Sequence, residues 1–277
     1  MATPPLVQSF PYVAWVLLAA LAFGSFLFAV LTRQLSDATT GYLRFTAVSA
    51  AVLAFLTRLV DGGLTTPVNL TIVSAPQELA TWRWIGLLTF VFLAIAWAVL
   101  VRRPRASLAV GVTGVVVALL TLAAAAFGWA PTQPDAVPFL VQLATLSVVT
   151  GGSLAAIVLG HWYLVTPKIS ERPLILQARL LLGALGMQAL LFVTWTTLAG
   201  GPGQVPFSAF EGGTLLLVVL RLGVTILFPL VLVYMAWRTA QTRSMESATG
   251  LLYINLAAVM AGTIGAAALY VSSGILV

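Results

Sequence analysis

Eight stretches of this chain are each long and apolar enough to cross a lipid bilayer, and that constrains the fold more than any other feature. Crossing a hydrocarbon layer of ~30 Å takes about 20 mostly apolar helical residues. In lipid such a segment must satisfy its backbone hydrogen bonds internally. The stretches are Pro11–Leu31, Gly41–Leu59, Thr81–Val101, Ala106–Trp129, Phe139–Leu164, Leu174–Leu198, Gly213–Ala236 and Ser247–Val271. Helix-breaking punctuation separates them: Asp61-Gly-Gly, Arg103-Pro-Arg105, Pro131 to Pro138, Pro167 and Gly200-Gly-Pro-Gly203. The pattern predicts an all-α integral membrane protein of eight transmembrane helices, one polytopic domain over residues 1–277. The first stretch lacks the basic lead of a cleaved signal peptide and is expected to remain as a span.

Composition excludes the soluble alternatives. The chain is 61% hydrophobic and 7% charged, where soluble proteins carry roughly a quarter charged residues. A globule cannot clothe its surface with thirteen basic and seven acidic side chains over this length, so the apolar excess must face lipid. A soluble enzyme, a nucleic-acid reader and a disordered chain are excluded. With no Cys, disulfides and thiolate-held metal or iron–sulfur centres are excluded. A single His excludes a bis-His haem within one chain. The expected cofactor list holds no metal, haem or iron–sulfur cluster.

Charge placement gives an orientation, because basic residues favour cytoplasmic loops. Arg33, Arg44, Arg102, Arg103, Arg105, Lys168, Arg172, Arg179, Arg238 and Arg243 all fall at the links after odd-numbered spans. Arg58 and Arg83 lie at the opposite ends, and Arg221 lies inside a span. Both termini are therefore expected outside, with the chain multi-pass in the cell's inner (cytoplasmic) membrane. Trp and Tyr favour the headgroup level, and here they fall near span ends, with none at mid-depth.

Spans one to four and five to eight run in the same directions, which allows a parallel repeat of residues 1–130 in 131–277. Phe23-Gly-Ser25 matches Gly151-Gly-Ser153, and Arg44 opens span two much as Arg179 opens span six. Chance similarity between apolar helices is the alternative. Small residues mark close helix approach, at Gly152, Ala156 and Gly160, and at the pairs Gly111/Gly114, Gly183/Gly186 and Gly262/Gly265. Pro229 frees the carbonyl of Thr225 and predicts a kink in span seven.

Two groups of residues can carry chemistry. The first is the polar run His161-Trp162-Tyr163 with Lys168 and Arg179, at the predicted cytoplasmic end of spans five and six. A neutral imidazole both donates and accepts and titrates near physiological pH. His161 therefore suits a quinone carbonyl, Trp162 and Tyr163 can stack on its ring, Arg179 can stabilise a quinol anion, and Lys168 completes the quinone-binding candidates. The alternative is an interfacial turn with a histidine that anchors the helix end. The second group lies within the spans: Arg221, Gln142, Gln188 and Asn255. An intramembrane Arg faces a bundle interior or a wet cavity, or else snorkels to the surface along its apolar stem. No Asp or Glu lies inside a span, which disfavours a proton-driven pump. No metal-spaced ligand set occurs.

An eight-helix chain with basic cytoplasmic links and no cofactor ligands resembles the membrane-anchor subunits of the polysulfide/dimethyl-sulfoxide reductase type. The local likeness is Gly250-Leu-Leu-Tyr-Ile-Asn255 through Gly262-Thr263, similar to that family's last helix. Where the family carries an acid and an Arg after the glycine, Thr263 and Ala266–Ala268 stand here. The resemblance implies a quinone-reactive subunit of an electron-transport complex, with a partner that carries iron–sulfur clusters or haem. It implies at most a subunit of a quinone oxidoreductase without a redox centre of its own. A small-solute transporter or channel and a structural assembly subunit are the alternatives.

Overall fold

The computed structural model describes residues 5–166 and 169–277, with the side chains of residues 5–7 and 212 outside that description. The helices are α1 Pro5–Leu35, α2 Thr40–Asp61, α3 Gln77–Leu100, α4 Pro104–Trp129, α5 Gln133–Val165, α6 Arg172–Leu198, α7 Leu215–Leu222, α8 Phe228–Gln241 and α9 Met245–Ser273. No strand occurs among the described residues. α7 and α8 join through a π-turn, Gly223–Leu227, into one span, so eight spans are long and apolar enough to cross a membrane. All eight coincide with the stretches read from the sequence. Proline at the first turn starts α4, α5 and α6, where its missing N–H costs nothing. The π-turn takes the place of the expected kink. Pro229 cannot donate to Thr225, and the amide of Phe228 reaches back five residues to Gly223 instead.

α1 and α5 form the centre, with most of their residues enclosed, while the flanking helices keep one apolar face outward, as at Phe92 and Leu120. α1 packs on α2, α2 on α3, α3 on α4, and α4 returns to α1 and α5. Likewise α5 packs on α6, α6 on α8, α8 on α9, and α9 returns to α5 and α1. Each half thus has the same order of neighbours.

The two central helices cross backbone to backbone. A Cβ at Gly24 would overlap the carbonyl of Ser147, and one at Gly151 would meet the backbone of Ala20, Gly24 and Ser25. Gly152 instead faces Phe28 and Leu181, and Gly160 faces Thr249. Gly111 and Gly114 receive Trp97, Val30 and Phe26 as expected. Gly183, Gly186 and Gly265 have nothing within 4 Å, so the spacing-three reading fails there: those positions face outward.

Buried hydrogen bonds tie the helices together. Gln177 of α6 donates to Thr32 Oγ1 at 2.8 Å and to Tyr42 Oη at 2.6 Å, which joins α6, α1 and α2. Thr150 and Thr263 link α5 to α9 at 2.6 Å. Several aromatic residues expected at the lipid headgroups are core cross-links instead. Trp15, Trp97 and Trp129 are fully buried, and Trp97 Nε1 donates to the carbonyl of Ser107 at 2.9 Å. Arg33 and Arg44 donate to the carbonyls of Val101 and Ala98, capping the end of α3.

Candidate functional site

At the arginine-rich end, α2, α5 and α9 leave a groove of about 530 Å³. Its walls include Phe45, Ile157, His161, Trp162, Tyr253 and Leu256. One turn of α5 brings His161 and Trp162 here. The indole lies against Gly41, where a Cβ would strike the ring, and its centroid is 6.3 Å from that of Phe45. Phe45 and Tyr253 are about half exposed, at 53% and 52%, so the groove opens sideways toward lipid. His161 is exposed and makes no hydrogen bond to another described residue. It therefore does not anchor the helix end through any of them.

The rest of the expected cluster is dispersed. Tyr163 is buried and donates to the carbonyl of Ser170 at 2.5 Å, which pins the α5–α6 link rather than facing the groove. Arg179 is exposed, with its guanidinium 5.4 Å from the ring of Trp237 on α8, and it is no part of the groove wall. Lys168 lies outside the described residues.

The intramembrane residues are all buried, at 3% exposure or less. Arg221 points inward, not to the surface. Its Nη1 donates to Thr225 Oγ1 at 3.0 Å, its Nε reaches the main-chain oxygen of Val277 at 3.5 Å, and its Nη2 has no partner. Gln142 donates to that same Val277 oxygen at 2.8 Å. Gln142 and Arg221 thus share one acceptor. Asn255 Nδ2 donates to Ser153 Oγ at 2.8 Å and leaves its Oδ1 free. Gln188 Oε1 likewise lacks a partner. These residues do not form one connected chain: Asn255 ties α9 to α5, while Arg221 and Gln142 clamp the segment after α9.

A further site was not singled out in the sequence. At the loop-rich end, opposite the arginine-rich links, Asp61 and Arg83 form a buried ion pair, Nε to Oδ1 at 2.5 Å, with side chains 6% and 5% exposed. The Arg83 guanidinium stacks 4.9 Å over Trp129, and its Nη1 is buried without a partner. The pair sits in the wall of a cavity of about 650 Å³ that also takes in Tyr12, Trp84, Trp129 and the loop after α2. Arg58 does not line the cavity; its guanidinium lies 4.9 Å from the ring of Trp84. Arg58 and Arg83 are the two basic residues that break the charge asymmetry, and that exception was the available signal.

Fold and sites together define an all-α, multi-pass membrane protein with polar groups buried at several depths. Comparison with protein-family models and with curated proteins found no match to this chain.

Proposed function

We propose that the protein is a membrane subunit of a redox complex that binds a quinone ring in the groove at His161, without a redox centre of its own. The observation that carries this reading is the pairing of an exposed imidazole, without a partner among the described residues, with an aromatic groove open to lipid. Quinones partition into the bilayer, so a sideways entrance suits them, and a groove of this size falls in the range of small-molecule sites. His161 would donate to a ring carbonyl oxygen, while Trp162 and Phe45 flank the ring. A bound quinone supplies two-electron, two-proton chemistry. The protein's part is to hold the ring and to pass a proton through the imidazole.

The likeness of Gly250–Asn255 and Gly262-Thr263 to the last helix of reductase membrane anchors supports the same reading. It implies an iron–sulfur or cytochrome partner. The charge asymmetry supports a groove on the cytoplasmic side of an inner membrane, with both termini outside. The test is calorimetric titration of the purified protein in nanodiscs with ubiquinone-1. Saturable binding that His161→Ala weakens and Arg179→Ala leaves unchanged is the expected result. Equal binding by wild type and His161→Ala overturns it. A second reading, a small-solute carrier, is favoured by the cavity at Arg83 and would show as solute uptake by the protein alone in liposomes.

A further inference from the structure

We propose that the His161 groove takes a para-quinone held at both carbonyls, with the Tyr253 hydroxyl of α9 as the second donor opposite His161. This inference rests on the quinone reading above and adds to it the second anchor and the class of ring. The first argument is the make-up of the wall. Five apolar side chains line the groove with three polar groups, the imidazole of His161, the indole N–H of Trp162 and the hydroxyl of Tyr253. Tyr253, like His161, makes no hydrogen bond to another described residue. It stands eight residues into α9, about 12 Å from the helix start. A hydroxyl left unpaired among apolar groups is costly, and a ligand oxygen in the groove removes that cost.

The second argument is register. Gly160 of α5 abuts Thr249 of α9, and Asn255 of α9 donates to Ser153 of α5. These two contacts set the helices antiparallel and place Tyr253 level with Ala155. Tyr253 is therefore attached about six residues deeper than His161, or roughly 9 Å. Helical side chains lean toward their own N-terminus, so on antiparallel helices the two lean toward one another. Ile157 and Val158 line the stretch between them. Two converging donors at the two ends of the groove suit the opposed oxygens of one para-dicarbonyl ring, each accepting a hydrogen bond of about 2.8 Å. An ortho-quinone carries both oxygens on one side and reaches only one donor. The third argument is rigidity. Trp162 is seated against Gly41, and its ring centroid is 6.3 Å from that of Phe45. That wall is fixed before a ring arrives, which lowers the ordering cost of binding.

The experiment is calorimetric titration of the full-length protein in phosphatidylcholine nanodiscs with ubiquinone-1, joined to infrared difference spectra of the bound quinone. Tyr253→Phe keeps the half-exposed ring and removes only the hydroxyl, and should weaken ubiquinone-1 about fivefold. Tyr234→Phe removes a similarly exposed hydroxyl, at 49%, from α8 outside the groove, and should leave the affinity unchanged. In the wild type both carbonyl stretches are expected below their positions in free quinone. Tyr253→Phe should return one of them and His161→Ala the other, which a merely structural role for Tyr253 would not do. Binding that His161→Ala weakens and Tyr253→Phe leaves unchanged overturns the two-point hold while the quinone reading stands. A single shifted carbonyl in the wild type, or equal weakening by Tyr234→Phe, has the same consequence. Absence of saturable ubiquinone-1 binding by the wild type overturns both.

Discussion

Replacing Gly24 by alanine and, separately, Gly183 by alanine should change stability in opposite directions. Both glycines lie inside helices, where alanine is intrinsically better by about 1 kcal/mol. At Gly183 the new methyl meets nothing within 4 Å, so the helix keeps that gain. At Gly24 the methyl would overlap the Ser147 carbonyl oxygen and lie 2.7 Å from the carbonyl carbon and 2.9 Å from Gly151 Cα. All three are backbone atoms of α5, which cannot swing aside as a side chain does. The helices must separate, and the core around Phe23, Phe26 and Phe28 loses its close fit. Overpacking of this kind costs about 1–3 kcal/mol, or more where the backbone itself is struck, and it outweighs the helical gain. A detergent-unfolding titration or thermal melt of the three proteins measures both signs. A Gly24→Ala protein as stable as Gly183→Ala would refute the backbone crossing of α1 and α5.

Arg221→Met should raise the melting temperature. Thr225 Oγ1 already donates to the Arg221 carbonyl at 2.7 Å and Gln142 holds the Val277 oxygen, so the loss strands no acceptor and removes an unpaired buried arm. A lower melting temperature would show that the guanidinium is needed for the fold. Asp61→Asn leaves Arg83 buried without its counter-charge and should cost about 3 kcal/mol, and Arg83→Met in the same chain should recover part of it. Full additivity of the two changes would argue against their coupling. Cysteines placed at the exposed positions Arg102 and Gln133 report orientation: an impermeant thiol reagent applied to intact cells should label the second and spare the first.

The spans were legible because hydrophobic length and helix-breaking residues are local properties, and lipid leaves the chain few alternatives. The direction in which the tryptophans point was not legible. Trp129 and Trp15 face one another across α4 and α1, with centroids 4.9 Å apart, and no spacing within either helix announces that partner. The central crossing fell at Gly151, one residue from the glycine singled out by the four-residue stripe, because the stripe gives a face and not the partner that meets it. The His161 groove was read in part. Neighbouring His161 and Trp162 travel together on one helix, but Arg179 belongs to another and turns to Trp237. The Asp61–Arg83 pair joins residues on two helices across a long loop, and the loop's path decides it.

Photolabelling with an azido-quinone in native membranes, followed by mass spectrometry of the labelled peptides, tests the functional reading most directly. The account predicts label concentrated on the His161–Trp162 stretch of α5 and around Tyr253 of α9, displaced by excess ubiquinone and lost in His161→Ala. Label confined to other helices, such as the apolar groove of about 400 Å³ between α3 and α4 near Gly86 and Thr121, or no displaceable label at all, would contradict it.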